Sequence, residues 1–317
     1  MTTLDNPGAP GSPAPAVCLR PLTPSIGAEV TGLDLTRPID PSTAGWLRRA
    51  LLDHLVLFFA HQDLSDEEHL AFASTFGTPN VYPVTAARGL DQPLEWIEDT
   101  PDSPPKTDLW HTDAAFLPEP PEVAVLNMRV RPPVGGDTLW LDLYGAFDGL
   151  SPTLQVLVSG LELDVHPGET FRRQVELQFG SGIYEKVADE FSGCRQPLVR
   201  VHPETGRRAL FLCGAYVRGI AGMSAEESDA LLGLLRRRLD DPNIACRWRW
   251  GDYDVAVWDE RCTNHRGLSD HHPAHRLVRR CTVGRSRSWG PDDPPHGRLC
   301  GPASLSPGTA SSPAGED

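Results

Sequence analysis

No apolar run in this 317-residue chain approaches the roughly 18 to 20 residues that a membrane-crossing helix needs. The first residues also lack a basic stretch followed by an apolar core, which argues against a secretory signal. Cysteine is scarce and scattered: seven residues, at 18, 194, 213, 246, 262, 281 and 300, with no C-x-x-C pair. A disulfide framework or a structural zinc site is therefore not expected, and buried reduced thiols in a cytoplasmic protein are. Positive charge is the scarcer sign, with 29 Lys and Arg against 43 Asp and Glu, a formal net charge of -14. Nucleic acid is thus excluded as the main partner, and no membrane partner is expected, although a local basic pocket for a small anion stays open. Internal repeats and Gly-rich phosphate loops are absent as well.

What is present is ordinary globular material, 39% hydrophobic and 23% charged. Residues 1–16 are rich in Pro, Gly and Ala and read as a disordered leader, and residues 291–317 repeat that composition as a disordered tail. Residues 17–290 are expected to form the folded domain. Asp40-Pro41 marks a helix start, with Trp46, Leu47, Ala50 and Leu51 on one face. Ser65 with Glu68 and Ser224 with Glu227 are capping boxes that open two more helices. Between them lie short strand-like runs: Leu55–Phe59, Val123–Met128, Thr138–Leu141, Ala209–Cys213, Val255–Trp258 and Leu277–Val283. Pro- and Gly-rich turns separate them instead of alternating helices. The fold class is therefore mainly β with flanking helices, a pair of antiparallel sheets or a barrel.

The chemistry centres on Trp110-His111-Thr112-Asp113. As extended chain, this places the His111 imidazole and the Asp113 carboxylate on one face. One nitrogen and one oxygen ligand make up two thirds of the facial triad of non-haem Fe(II) oxygenases, which needs one more histidine. His265 is the best candidate, because it follows the strand V-A-V-W near a strand end, where a rigid frame can hold it. His271, His272 and His275 lie in a polar loop and fit less well. Further on, alternation places Arg276, Val278, Arg280 and Thr282 on one strand face, where two guanidinium groups can receive two separate acid groups.

W-H-T-D, Gly135-Gly136-Asp137-Thr138-Leu139-Trp140, V-W-D-x-R-x-T-x-H, R-x-x-x-R and His202-Pro203-Glu204-Thr205-Gly206 together resemble the taurine/dichlorophenoxyacetate dioxygenase family. The resemblance runs from about Leu19 to Gly284. It implies a double-stranded β-helix of the jelly-roll or cupin type, and dependence on Fe(II), 2-oxoglutarate and O2. By the same resemblance His111, Asp113 and His265 match the iron ligands, and Thr138 and Arg276 the residues that hold the far carboxylate of 2-oxoglutarate. Arg280 matches an arginine that grips the acid end of the primary substrate, a small anion: a sulfonate, a sulfate or phosphate ester, or a carboxylate. Retention of Asp113 separates the chain from family-related halogenases, which free that position.

The chain also departs from the pattern. Glu260 stands where the family usually has Asn. Tyr82 and Thr85 replace a His and a Tyr of taurine-using members, and Thr107 an Asn, so these three are candidate substrate contacts and taurine itself is a poor candidate. The stretch Val81–Lys106 is expected to be a lid or substrate loop. An alternative with the same cofactors is a biosynthetic oxidation, desaturation or oxidative decarboxylation of an amino-acid-derived or nucleotide-like acid. The resemblance also allows a homo-oligomer.

Overall fold

The computed structural model describes residues 17–293; the leader expected over 1–16 and all but the start of the expected tail lie outside the described residues. In chain order the first elements are β1 (Cys18–Pro21), β2 (Ala28–Thr31), α1 (Pro41–His54), β3 (Val56–Phe59), α2 (Asp66–Ala73), α3 (Pro83–Ala87) and β4 (Glu95–Asp99). Next come β5 (Pro121–Val130), β6 (Thr138–Asp142), α4 (Leu143–Asp148), α5 (Pro152–Ser159), β7 (Glu162–Val165), α6 (Gly168–Phe179) and α7 (Ile183–Lys186). The remainder comprises β8 (Cys194–Pro197), β9 (Val199–Val201), β10 (Arg208–Leu210), β11 (Val217–Ile220), α8 (Ala225–Arg236) and β12 (Ala245–Trp248). Last in the chain are β13 (Val255–Asp259), β14 (Thr263–Gly267) and β15 (Arg276–Arg285).

The protein is mainly β with a few helices. Its largest sheet runs β1-β2-β3-β13-β5-β15-β4, antiparallel except at β2–β3. Two three-stranded sheets, β12-β6-β14 and β11-β7-β8, and the β9–β10 hairpin complete the pattern.

Each helix expected from its cap forms where that cap predicts. Asp40 accepts from the backbone N–H groups of Ser42 and Thr43, and Pro41 opens α1. Ser65–Glu68 and Ser224–Glu227 are reciprocal capping boxes, satisfying helix N–H groups that otherwise lack partners. The cysteines among the described residues are unpaired thiols.

The centre of the main sheet is buried on both faces, which is why β3 is apolar throughout and β13 from Val255 to Trp258. Strand alternation divides the core in two. Leu57, Phe59, Val123, Val125, Val255, Val257 and Val283 pack against Leu47 and Leu51 of α1 and Phe72 of α2. Phe58, Ala124, Met128, Ala256, Trp258 and Val278 face the other way, toward Trp140 and Tyr144. There Phe58 stacks on Trp248 with ring centroids 4.3 Å apart and meets Trp140 edge-on at 5.2 Å. Truncating one such aromatic costs roughly 3–5 kcal/mol, so this inner layer is a stiff backing for whatever is mounted on it.

One strand expectation needs correction. The run Ala209–Cys213 is strand only to Leu210, because Phe211–Cys213 leave the hairpin before Gly214. Gly214 has φ +69°, and a Cβ there would sit 1.8 Å from the Trp110 carbonyl oxygen, so the chain passes too close for any side chain. The stretch expected as a lid contains α3 and then β4, which pairs with β15 at the sheet edge. Through β4 it is tied to the scaffold, and along its length it lines the cavity described below. Its sequence E-W-I-E-D carries acids where an apolar strand would be sought.

His69 ties α2 to the sheet: fully buried, it offers Nε2 to the Val125 carbonyl at 3.2 Å. Burial lowers its pKa to about 4. The unfolded chain therefore takes up this proton first as the pH falls, and the stability tied to neutral His69, complete above about pH 6.5, is lost down to about pH 4. Acid-dependent thermal unfolding should show His69→Gln losing less stability than the parent across that window, by roughly 3 kcal/mol at its lower end. Parallel profiles for the two proteins would show that His69 does not titrate in this way.

Candidate metal and acid-binding site

His265 lies in β14, opposite Trp140 of β6, with its ring 4.9 Å from that of Trp258. His111 meets it through a two-way backbone bridge: His111 N–H donates to the His265 carbonyl at 3.0 Å, and His265 N–H to that of His111 at 2.8 Å. The W-H-T-D stretch is extended only at this point. It turns at Asp113, and Ala114 has φ +46°. Between His111 and Asp113 the Thr112 hydroxyl donates to Asn264 Oδ1 at 2.8 Å, and the Asn264 amide donates to the Leu212 carbonyl at 2.7 Å.

The result is a tight group. Nε2 of His111 and of His265 lie 3.9 and 3.8 Å from Asp113 Oδ1, and one ligand atom from each residue falls within 4.8 Å of the others. His111 Nδ1 lies 2.8 Å from the Leu109 carbonyl, an acceptor only, so Nδ1 carries the proton and Nε2 presents a lone pair. Burial lowers the pKa of both imidazoles, and for His265 the neighbouring His111 lowers it further. Two neutral imidazoles and a carboxylate form the donor set suited to a divalent first-row metal. The residues fit.

Around this group the charges are specific. Burial alone would raise the Asp113 carboxyl, but the Arg280 guanidinium, followed by the two histidines, outweighs it and draws the pKa down to about 2. Arg280 Nη1 donates to both Asp113 oxygens, at 2.6 and 2.7 Å. Fully buried Glu260 accepts from the Asp113 N–H at 3.1 Å and from Trp258 Nε1 at 2.7 Å. Its carboxyl is pushed well above the usual range by burial and then by Asp113. Oε1 of Glu260 is 4.0 Å from His265 Nδ1, a buried nitrogen with no hydrogen bond of its own.

Arg276 is buried beside the Gly135-Gly136-Asp137 turn, where Nε donates to the Gly136 carbonyl at 3.3 Å. Burial lowers its pKa, opposed by Asp99 and Asp137, yet its nearest carboxylate oxygen, on Asp99, is 3.8 Å away. It is a cation held without a close counter-charge, a costly arrangement unless an acid completes it. The Thr138 hydroxyl accepts from Trp250 Nε1 at 3.0 Å. The register of β15 against β5 shifts between Leu277 and Val278, where β5 carries the extra residue, Arg129; against β4 the register is unbroken from Arg276 to Arg280, so the two arginines keep the common face that alternation predicts. Of the loop histidines, His271 is buried against Asp99 and takes no part in the metal group.

A cavity of about 930 Å³ opens on this group, and His111, Asp113 and Arg280 line it. Tyr82, Thr85 and Thr107 line it too, so the three substituted positions are brought to one space. Opposite them α6 contributes Phe171, Val175 and Phe179. Sequence reading missed α6 and Glu95 as wall residues; amphipathic spacing was the available signal for the first, and nothing local marks the second.

A second buried group, His202, Asp259 and Cys262, also has ligand-like spacing. Its carboxylate is already engaged: Asp259 accepts from His202 Nε2 at 3.0 Å and from Arg261 Nε and Nη2 at 2.9 and 2.6 Å. His202 Nδ1 in turn accepts from the N–H groups of Glu204 and Thr205. This network pins the β13–β14 turn to the His202–Gly206 turn, and so holds the strand that carries His265.

Residues 19–282 match the model of the family described as taurine catabolism dioxygenase TauD, TfdA family. The chain is 34% identical over 278 residues to an alkylsulfatase of Acinetobacter baylyi, covering 86% of each chain. It is 31% identical over 279 residues to an alpha-ketoglutarate-dependent sulfate ester dioxygenase of Pseudomonas putida, covering 84% of this chain and 88% of that one. Among solved structures it is similar to a taurine dioxygenase from Burkholderia xenovorans, with a TM-score of 0.72, 33% identity, and coverage of 88% and 94%. With the site's donor set in place, these matches establish that the chain belongs to the TauD/TfdA family of 2-oxoglutarate-dependent, non-haem iron dioxygenases.

Proposed function

We propose that this dioxygenase oxidises a small substrate bearing an acid group, at a ferrous ion held by His111, Asp113 and His265. The observation that carries the reading is the convergence of these three ligand atoms beside a cavity that His111, Asp113 and Arg280 line. When bound, iron and 2-oxoglutarate supply the oxygen-activating chemistry, with succinate and CO2 as co-products. The protein's own residues bind, orient and exclude water. His111 and His265 present neutral nitrogens, and Asp113 stays ionised beside Arg280. Arg276, whose nearest carboxylate is too distant for a hydrogen bond, is assigned to the far carboxylate of 2-oxoglutarate, with Thr138 beside it. Arg280 is assigned to the acid group of the substrate, with Tyr82, Thr85 and Thr107 as further contacts and the α6 side chains shielding its apolar part.

Sulfate esters, named for two relatives, head the substrate classes to try, followed by sulfonates, phosphate esters and carboxylates. Residues 17–290 are proposed to act as one catalytic domain, with the sheets as the two sides of a double-stranded β-helix. The His111–His265 bridge and the double-faced burial of the main sheet support that architecture.

Oxygen-dependent succinate formation over a panel of these acids tests the reading, and His111→Ala should lower turnover at least 100-fold. Undiminished turnover in that variant would remove the metal assignment. Arg276→Gln should raise the KM for 2-oxoglutarate about 10- to 100-fold, the loss expected for one charge-assisted contact. Glu260→Ala, which takes an acceptor from the Asp113 N–H, should weaken Fe(II) or Mn(II) affinity about 10- to 100-fold in direct metal titration. An unchanged metal affinity would confine Glu260 to packing.

A further inference from the structure

Arg276 stands beside an acid that is in reach of it and does not close on it. Asp99 of β4 is its direct cross-strand partner in β15, so the two side chains share a face. Asp99 Oδ2 nevertheless stops 3.8 Å from Arg276 Nη1, beyond hydrogen-bond reach. The same oxygen lies 3.3 Å from Nε2 of His271, on the loop that joins β14 to β15. Among the described residues, His271 and Arg276 are the groups within ion-pair distance of this carboxylate. Arg88, Lys106 and Arg218 line the cavity that Asp99 also lines, but do not pair with it. The other acids close to Arg276 are committed elsewhere. Asp137 Oδ2 accepts from Arg247 Nε at 2.6 Å, and Asp270 Oδ1 accepts from the Gly136 N–H at 2.8 Å.

His271 is fixed in place. Its side chain is 1% exposed, and Nε2 is a buried nitrogen without a hydrogen bond. Nδ1 lies 3.0 Å from the Leu268 carbonyl, and the Leu268 N–H donates to the Asp137 carbonyl at 2.9 Å. The ring is thereby tied to the Gly135-Gly136-Asp137 turn, against which Arg276 packs. A carbonyl only accepts, so Nδ1 carries a proton. A bare Nε2 and an Asp99 carboxylate would then oppose each other as two acceptors. One proton between them, on either atom, turns that opposition into an attraction and satisfies the buried nitrogen. It also takes Asp99 out of competition. Without His271, the cross-strand carboxylate and guanidinium are free to close into a two-pronged pair, which an incoming diacid would have to break.

We propose that His271 is a positioning residue for the co-substrate: by holding Asp99 it keeps that carboxylate off Arg276, and so leaves the guanidinium open to the far carboxylate of 2-oxoglutarate. This rests on the assignment of Arg276 made above. Binding of 2-oxoglutarate is measured by calorimetry on the anaerobic Mn(II)-loaded enzyme, alongside KM for 2-oxoglutarate and kcat. His271→Phe should raise Kd and KM about tenfold or more, the order of one charge-assisted contact, with the loss falling on these constants and not on kcat. Adding Asp99→Asn to that variant should bring Kd back to within about threefold of the parent, because an amide cannot form the ion pair. Asp99→Asn alone should bind 2-oxoglutarate at least as tightly as the parent.

A Kd left unchanged by His271→Phe overturns the proposal. So does a rise that persists undiminished when Asp99→Asn is added, which would make His271 a prop for its loop alone. Weaker binding in Asp99→Asn by itself also overturns it, since Asp99 would then support Arg276 instead of competing for it. That last measurement leaves His271 untouched and stands as the test if His271→Phe fails to fold. Arg276→Gln separates the two readings. If it weakens 2-oxoglutarate binding while His271→Phe does not, the Arg276 anchor survives and the role of His271 falls. If Arg276→Gln leaves binding unchanged, both fall.

Discussion

Two backbone hydrogen bonds between His111 and His265 carry the arrangement of this site. β14 is locked into the β12-β6-β14 sheet, and the W-H-T-D segment hangs from it through that single reciprocal contact. Everything that refines the geometry is added on top: Thr112 on Asn264, Asn264 on Leu212, and the Asp113 N–H on Glu260. A turn secured at so many points needs no strand of its own. This explains how a segment with almost no regular structure can present two side chains reproducibly. Below it the Trp140–Trp258–Phe58 layer gives the frame its stiffness.

The electrostatic plan depends on that frame. A chain with a net charge of -14 places buried Arg276 and largely buried Arg280 on one strand and treats them differently. Arg276 is left under-compensated, while Arg280 is nearly saturated by Asp113 and Glu95. The first arrangement suits a constant co-substrate that is always a diacid. In the second, an acid bound at Arg280 competes with two carboxylates already in place. Overall charge said nothing about either arrangement, since it averages over the whole surface.

Local chemistry was legible in the sequence wherever one residue type does one job. Asp40-Pro41, Ser65–Glu68 and Ser224–Glu227 announce helices because unsatisfied N–H groups demand such partners. The apolar runs at β3 and β13 announce strands buried on both faces, and the spacing of His111, Asp113 and His265 pointed to residues that the fold brings together. What escaped depends on pairing between distant segments. β4 is acidic and short, and becomes a strand only because β15 offers its edge. The extra residue that β5 carries at Arg129, opposite Leu277 and Val278, is likewise a property of its pairing with β15, although alternation along β15 itself put Arg276 and Arg280 on one face as expected. Glu95 acquires its meaning from Arg280, far away in the chain, and no local pattern could supply that. The turn at Asp113 was hidden for the same reason: Glu260 and Arg280 hold it from outside.

The two-sided burial of β15 has a consequence for how this region can change over evolution. From Val278 to Val283 even-numbered positions serve the chemistry and odd-numbered ones serve the helices, so point exchanges stay confined to one task. A single-residue insertion or deletion here would exchange the two sets, turning Cys281 toward the ligands and Arg280 into the aliphatic layer under α1 and α2. Diversification of the pocket is thereby channelled into replacement of side chains, with strand length frozen, while the loops that flank β15 are free to vary in length.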